Sequence, residues 1–242
     1  MHTLLDGIGD ALRLIFSGDH DVWATTFRTL WIAVVATLLA TLIGVPLGCL
    51  LGLGDFQGRR PLLGLVNAGI RMPPVALGQI LWLLMWPSSL WGGGPLGGLH
   101  WIYTDNAVIL AQTLLALPIV AALTASALAT VPSPLLAQAR AFGASWPQRA
   151  ALAFREARVG VYAAVIAALG TAIASVGAVV VVGPALGDAT LATAALVSWN
   201  AGGADARAVA YGTVLLGLFL LIAALLTTAQ QRRTPWLPGR TS

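Results

Sequence analysis

Apolar residues gather along this 242-residue chain in long windows that contain no charged side chain. Five such windows cover residues 29–54, 72–104, 106–139, 159–187 and 208–231. A helix needs ~20 mostly apolar residues to cross the hydrocarbon core of a bilayer, so each window is long enough for one crossing. The pattern predicts an all-α integral membrane protein with about five transmembrane helices.

The segments between the windows predict shorter elements. At 100° per residue the start of the chain forms an amphipathic helix, which we expect to lie flat on the outer membrane interface. Its apolar face carries Leu4, Leu5, Ile8, Ala11, Leu12, Ile15 and Phe16, opposite Asp6, Asp10 and Arg13. Residues 62–70 predict an interfacial helix, and residues 190–199 predict a short re-entrant or docking helix. Trp91 and Trp101 fit an aromatic belt at the outer interface. We divide the chain into an amphipathic outer interfacial segment (1–24), a transmembrane domain (25–230) and a tail (231–242).

Two features inside the windows bear on helix packing. Gly44, Gly48 and Gly52 repeat every fourth residue in the first window. Such a stripe lets two membrane helices approach closely, and we interpret it as a packing seam, with chance in a glycine-rich chain as the alternative. Pro118 lies inside the third window, where it either kinks a moving helix or is simply tolerated.

Hydroxyl side chains mark the fourth window, which is rich in small residues and should lie inside the bundle. Thr171 and Ser175 are four residues apart, so on a continuous helix they share a face. The two hydroxyls either line a polar pathway, together with Gly177, or bond back to carbonyls of their own helix.

Charged residues make up only 9% of the chain, and they are sorted by side. Loops rich in arginine stay in the cytoplasm, which predicts an outer N-terminus and a cytoplasmic C-terminus. Arg13, Arg28 and Arg207 lie on the outer side with seven aspartates. The cytoplasmic side holds Arg59, Arg60, Arg71, Arg140, Arg149, Arg155, Arg158, Arg232, Arg233 and Arg240. The basic residues show no interleaving with aromatics, so we predict no nucleic-acid partner.

Several function classes are disfavoured by what the chain lacks. It contains no lysine, and a P-loop needs a lysine against the terminal phosphates, so this chain is not an ATPase of that kind. No window holds a charged residue, whereas ion-coupled carriers usually place one inside the bundle. A serine protease in the membrane needs a histidine within reach of its nucleophile, and none lies at that depth. The single cysteine, Cys49, cannot form an internal disulfide. We predict no catalytic, cofactor or metal residues.

The most polar loop, residues 131–158, carries four arginines and the single glutamate between two apolar windows. Its centre is Ala137, Gln138, Ala139, Arg140, Ala141, Phe142, Gly143, Ala144 and Ser145. This loop resembles the coupling loop of ABC-importer permeases, whose family form is Glu-Ala-Ala, three residues, then Gly. The Arg71-Met72-Pro73-Pro74 sequence, the 173–178 stretch and the helix predicted at 190–195 add to the resemblance, which spans residues 25–226. Tungstate, molybdate and sulfate permeases are the most similar group.

The resemblance implies a type I ABC importer permease fold in the bacterial inner membrane. Two copies of the chain would form the pore, two ATP-binding cassette subunits holding ATP and Mg would dock on the loops, and a periplasmic or lipoprotein solute-binding protein would deliver the ligand. The substrate would be an oxyanion such as tungstate or molybdate, with sulfate or an amino acid as alternatives. A membrane-embedded enzyme and an ion-coupled carrier are the rival classes.

The chain departs from the family pattern in three respects. Ala137 replaces the usual glutamate, so one polar contact to the ATPase is missing or moved. A later family proline is replaced within the run Phe154-Arg155-Glu156. Thr171 and Ser175 stand where related oxyanion permeases often have arginine and glutamate. Loss of both charges together leaves no orphaned buried ion, and it leaves the fourth helix neutral.

Overall fold

The computed structural model describes residues 4–86, 95–184, 190–202 and 206–231, with side chains described from residue 10 to residue 228. Within these ranges the chain forms helices and one 3-10 turn at Gly97–Leu99. Trp91 and the tail from residue 232, with its three arginines, lie outside the described residues. The helices are α1 (Leu4–Phe16), α2 (His20–Leu53), α3 (Arg59–Ile70), α4 (Pro74–Met85), α5 (Asp105–Ala129), α6 (Ser133–Ala141), α7 (Trp146–Ala174), α8 (Gly177–Val182), α9 (Leu191–Gly202) and α10 (Ala206–Gln231).

Four helices, α2, α5, α7 and α10, are long and apolar enough to cross a membrane, and α3 with α4 gives a fifth if the bent pair counts as one span. The all-helical fold with about five spans is therefore confirmed. The second crossing covers only part of its apolar window of residues 72–104. α4 has 12 residues, about 18 Å at 1.5 Å per residue, and it meets α3 at an angle of 102°. Pro73 and Pro74 cause the break, because the residue before a proline avoids the helical region.

The helix of the fourth window also differs from its predicted bounds of 159–187, since α7 begins and ends thirteen residues earlier. It begins in the polar loop, where the Ser145 backbone N–H donates to Gln148 Oε1 at 2.8 Å, which is half of a capping box. It ends because Ser175 adopts an extended backbone, with ψ at 118°. The predicted continuous helix through residue 178 is therefore wrong, and α8 follows as a separate short helix.

The glycine stripe of α2 packs along α5, as predicted. A Cβ added at Gly48 would lie 2.6 Å from Thr124 Cβ and 2.7 Å from the Ala121 carbonyl oxygen. At Gly44 it would lie 2.9 Å from Val120 Cβ. These distances are shorter than normal van der Waals contacts. The two helix backbones can approach this closely only because glycine has no side chain at these positions. On the other side of α5, Pro118 is buried within a continuous helix and lies beneath Gly69 of α3.

The break between α3 and α4 lies against the break between α7 and α8. α4 packs on α8 through Gly78 and Gly177, whose added Cβ atoms would lie 3.0 Å from Ala178 Cα and 2.8 Å from a methyl of Val75. The Tyr103 backbone N–H, just before α5, donates to the Val182 carbonyl at 2.9 Å. A cluster of apolar residues from α4, α5 and α8 surrounds this contact, and Trp101 packs against it.

α1 and α9 close the end of the bundle where α2 and α10 begin. Ala11 of α1 is buried against α9 and α10, and Ile15 packs beside it. Phe16, assigned to the same apolar face, is 85% exposed, so only part of that face is covered by protein. α9 begins one residue after the predicted start, and its Leu191 N–H donates to Thr29 Oγ1 of α2 at 2.8 Å.

Candidate docking loop and translocation cleft

The predicted coupling loop forms a short helical hairpin, α6 followed by the first turns of α7. α6 ends in a Schellman motif, in which Gly143 N–H donates to the Arg140 carbonyl and Ala144 N–H donates to the Ala139 carbonyl, both at 3.0 Å. Gly143 has φ of 82°, a left-handed conformation that favours glycine. The local chemistry of the sequence therefore explains why the chain turns sharply at this residue.

The hairpin has one face toward the bundle and one face free. Leu135 and Leu136 pack against the ends of α2 and α5 and against α7, which holds α6 in place. The opposite face is exposed at Ala137, Gln138, Arg140, Gly143 and Ser145, while Ala139 and Ala144 are half-buried. Phe142 at the tip is 90% exposed. Aromatic residues are enriched in protein interfaces, so Phe142 is a candidate contact with another protein.

A largely apolar cleft of about 500 Å³ lies between the helices of the bundle. Its walls come from the α3–α4 break, the middle of α5, the end of α7 and one face of α10. A second cleft of about 350 Å³ shares Ala167 and Leu226 with it and extends toward the α6 end, reaching Thr130 and Val159. The two clefts adjoin along α7 and α10, and we call them together the translocation cleft, after the role that we propose for them below.

The predicted pathway residues occupy different places around this cleft. Thr171 and Ser175 both line it, but the Ser175 backbone has left the helix, so the two do not form a helical stripe. The Thr171 hydroxyl donates to the Ala167 carbonyl at 3.1 Å, the local bond considered as the alternative. Ser175 is 8% exposed and its Oγ has no hydrogen-bond partner. Gly177 packs against α4 and is not among the residues lining the cleft.

A polar cleft of about 450 Å³ lies at the opposite end, between α2, α9 and α10. Two ion pairs join helices beside it. Arg207 of α10 approaches Asp21 of α2 at 3.3 Å, and Arg28 Nη2 lies 2.6 Å from Asp105 Oδ1 of α5. Sequence reasoning placed these residues on one side of the membrane but did not pair them. The available signal was that Arg28, Asp105 and Arg207 each come directly before a predicted span, on the same side of the membrane.

The described ranges hold no group of three or more His, Cys, Asp or Glu residues that could bind a metal ion. The candidate functional features are the exposed end of the hairpin, the translocation cleft and the polar cleft. Residues 44–235 match the family described as the binding-protein-dependent transport system inner membrane component. The match includes the hairpin and the translocation cleft, and it includes the polar cleft except for its lining residues on α2.

The chain belongs to this family. It is the permease of an ABC importer, an inner-membrane protein with several spans, as the loop resemblance predicted. A probable anion ABC transporter permease of Haloferax volcanii is 34% identical over 89% of this chain and 93% of its own length. A tungstate uptake system permease of Peptoclostridium acidaminophilum is 28% identical over 96% of this chain and its full length.

The fold of this permease is also found in a solved transporter. The methionine ABC transporter MetNI, in an inward-facing conformation, superimposes with a TM-score of 0.67. The match covers 89% of this chain and 95% of the solved one at 22% sequence identity. This likeness shows the type I importer permease fold.

Proposed function

We propose that this permease carries an oxyanion, such as tungstate or molybdate, into the cell with energy from ATP hydrolysed by a partner subunit. The proposed substrate class is supported by the near full-length similarity to permeases named for anion and tungstate transport. These relatives match from the coupling hairpin to the translocation cleft, so the similarity includes the parts that would meet the substrate.

The proposed assembly has two copies of the chain, two ATP-binding subunits and a solute-binding protein. α10 supports a second copy, since it is the least buried of the long helices. One of its faces is exposed at Leu216, Leu220 and Leu221. The arginine distribution supports an outer N-terminus and a cytoplasmic hairpin. A fluorescent protein fused after residue 242 should then mature in the cytoplasm. If the fusion inserts normally but does not fluoresce, the C-terminus is outside and the proposed orientation is wrong.

The translocation cleft provides the route in this proposal. None of the residues lining its described walls is charged, so it would not hold a dianion tightly. Low affinity suits a passage that must release its cargo after each cycle. Selectivity would then lie in the solute-binding protein, and the unpartnered Ser175 hydroxyl would offer one weak polar contact along an apolar wall.

Reconstitution in liposomes tests the proposal. The permease is co-expressed with its own ATP-binding subunit, and the binding protein is added outside with tungstate, molybdate, sulfate or methionine. We expect ATP-dependent accumulation of tungstate or molybdate that exceeds methionine uptake at least ten-fold. Equal or faster methionine uptake would contradict the oxyanion assignment. Accumulation without ATP would contradict the ATP-driven mechanism.

A further inference from the structure

The break between α3 and α4 lies about halfway along the bundle. Gly69, near the end of α3, packs on α5, since a Cβ added there would lie 2.9 Å from Pro118 Cβ. α5 covers Asp105–Ala129, so at 1.5 Å per residue Pro118 lies about 20 Å from one end of this helix and about 17 Å from the other. Pro74, the first residue of α4, lines the translocation cleft. The chain therefore turns from α3 into α4 near the middle of the membrane-spanning bundle.

Arg71 lies at this break, between Ile70 and Met72, which both line the translocation cleft. The Arg71 side chain is exposed, and it makes no ion pair with any residue in the described ranges. The sequence alone assigned Arg71 to the cytoplasmic side of the membrane. The fold instead places the backbone of Arg71 near the middle of the bundle.

Lipid is a poor environment for an arginine at this depth. The middle of a hydrocarbon core of ~30 Å lies ~15 Å from either surface, which is farther than an arginine side chain extends. Charged groups at such depth usually face the bundle interior or a water-filled cavity, and irregular backbone at membrane depth has the same requirement. We therefore expect the exposed Arg71 side chain to face a pore rather than lipid.

The described part of the chain offers Arg71 no acidic partner at this depth. Its acidic side chains lie toward the two ends of the bundle. These are Asp10, Asp19, Asp21 and Asp105 at the end where α2 and α10 begin, and Asp55 and Glu156 toward the α6 end. A second copy repeats the same arrangement. Because arginine stays charged in any protein environment, its counter-charge at this depth would have to be a mobile anion.

We propose that the Arg71 side chains of two copies face the pore and together bind the oxyanion cargo midway across the membrane. The inference rests on the proposed dimer and oxyanion substrate, and it adds the residue that holds the cargo. Two guanidinium groups match the charge of a tungstate or molybdate dianion, and each guanidinium fork matches a pair of oxygens. The cleft walls of one chain carry no charge, so the site is incomplete without the second copy.

The exposure of Arg71 keeps this site weak enough to release its cargo. Water and salt screen an exposed charge, so the pair attracts a dianion without holding it tightly. Two arginines facing each other across an empty pore repel, and a bound dianion removes this repulsion. A methionine zwitterion has no net charge and would be attracted much less, so the pair also selects cargo by its charge.

Uptake by the complete transporter in liposomes tests the role of this arginine. Arg71→Gln removes the charge, Arg71→Lys keeps it, and Arg60→Gln is the matched control, because Arg60 is an exposed arginine near the other end of α3. We expect Arg71→Gln to lower tungstate uptake about ten-fold or more, as loss of a charged hydrogen bond would. Arg71→Lys should keep most of the uptake, and Arg60→Gln should keep all of it. Normal tungstate uptake in Arg71→Gln, or an equal loss in Arg60→Gln, would overturn the proposal.

Cysteine labelling tests the position of the side chain separately from transport. Arg71→Cys is combined with Cys49→Ser, since Cys49 is the single cysteine of the chain. Only a thiol in contact with water ionises and reacts readily, so a charged methanethiosulfonate should label the variant, and tungstate should slow the labelling. A trimethylammonium adduct should restore uptake, while a sulfonate adduct should not. Absence of labelling, or equal uptake with both adducts, would overturn the proposal.

The wild-type transporter separates failure of this site from failure of the proposed function. If it takes up methionine and no oxyanion, both the proposed substrate and this site are wrong. If it takes up tungstate but Arg71→Gln does so equally well, the oxyanion function stands and only the assignment of Arg71 is wrong.

Discussion

The contact between α2 and α5 leads to the sharpest prediction about stability. Gly48→Ala places a methyl group 2.6 Å from Thr124 Cβ and 2.7 Å from the Ala121 carbonyl oxygen, while carbon atoms normally pack at about 3.5–4.0 Å. Neither obstacle can rotate away, because one is backbone and the other is attached directly to it. The helices must therefore separate by about 1 Å along the seam if they are to restore a normal contact.

The expected cost follows from two opposing terms. Overpacking a tight contact costs about 1–3 kcal/mol, and replacing glycine by alanine in a helix returns about 0.5–1 kcal/mol. We expect Gly48→Ala to lower the free energy of unfolding by about 1–2 kcal/mol, the balance of these terms. Gly64→Ala and Gly217→Ala are controls, because an added Cβ at either position meets nothing within 4 Å. Both should be neutral or slightly stabilising.

The measurement is unfolding in mixed micelles of dodecyl maltoside and sodium dodecyl sulfate, followed by the fluorescence of the nine tryptophans. Gly48→Ala should unfold at a lower mole fraction of dodecyl sulfate than either control. An unchanged midpoint for Gly48→Ala would show that the helices are not in backbone contact. An equal loss in all three variants would show that the effect is general to glycine in this protein.

Three further predictions concern the hairpin, the translocation cleft and the ion pairs. Phe142→Ala should cost about 2 kcal/mol in ATP-binding subunit affinity and uncouple hydrolysis from uptake. Full coupling with unchanged co-purification would contradict the docking assignment. Ser175→Ala should slow uptake at limiting ligand more than Thr171→Val, because of these two hydroxyls only that of Ser175 lacks a local hydrogen-bond partner. Equal uptake rates in both variants would show that the Ser175 hydroxyl does not contact the substrate. Asp105→Asn should cost about 1 kcal/mol or less in unfolding free energy, since its pair with Arg28 is partly exposed and screened, and added salt should shrink the difference from wild type.

Sequence reasoning succeeded where the signal is local. The stripe of Gly44, Gly48 and Gly52 predicted a close contact because side-chain size alone decides how near two backbones can approach. The turn at Gly143 followed from the preference of glycine for a left-handed conformation. Four of the five windows contain most of a long helix for a similar reason, since hydrocarbon length sets how many apolar residues a span needs.

It failed where tertiary contacts decide the outcome. The window of residues 72–104 was counted as one span from its length, but its helix, α4, has only 12 residues and meets α3 at a steep angle. The small residues around Ser175 predicted a continuous helix. The helix instead ends at Ala174, and Gly177, just beyond the break, packs on Val75. Hydropathy does not record such a break, because both sides of it are equally apolar. The ion pairs at the polar cleft were missed because pairing depends on which helices are neighbours.

The burial of Ala11 against α10 has a consequence for how the protein is made. Its neighbours Ala210 and Tyr211 are translated about 200 residues later, which takes about 10–40 s at typical rates of synthesis. During that interval α1 exists without the surface it will cover, and only the membrane interface can shelter its apolar side. α1 leaves the ribosome long before α10, so the contact between the two helices forms late in synthesis. A chain stalled before α10 would therefore still expose Ala11 and Ile15, a signal that quality-control proteases could recognise.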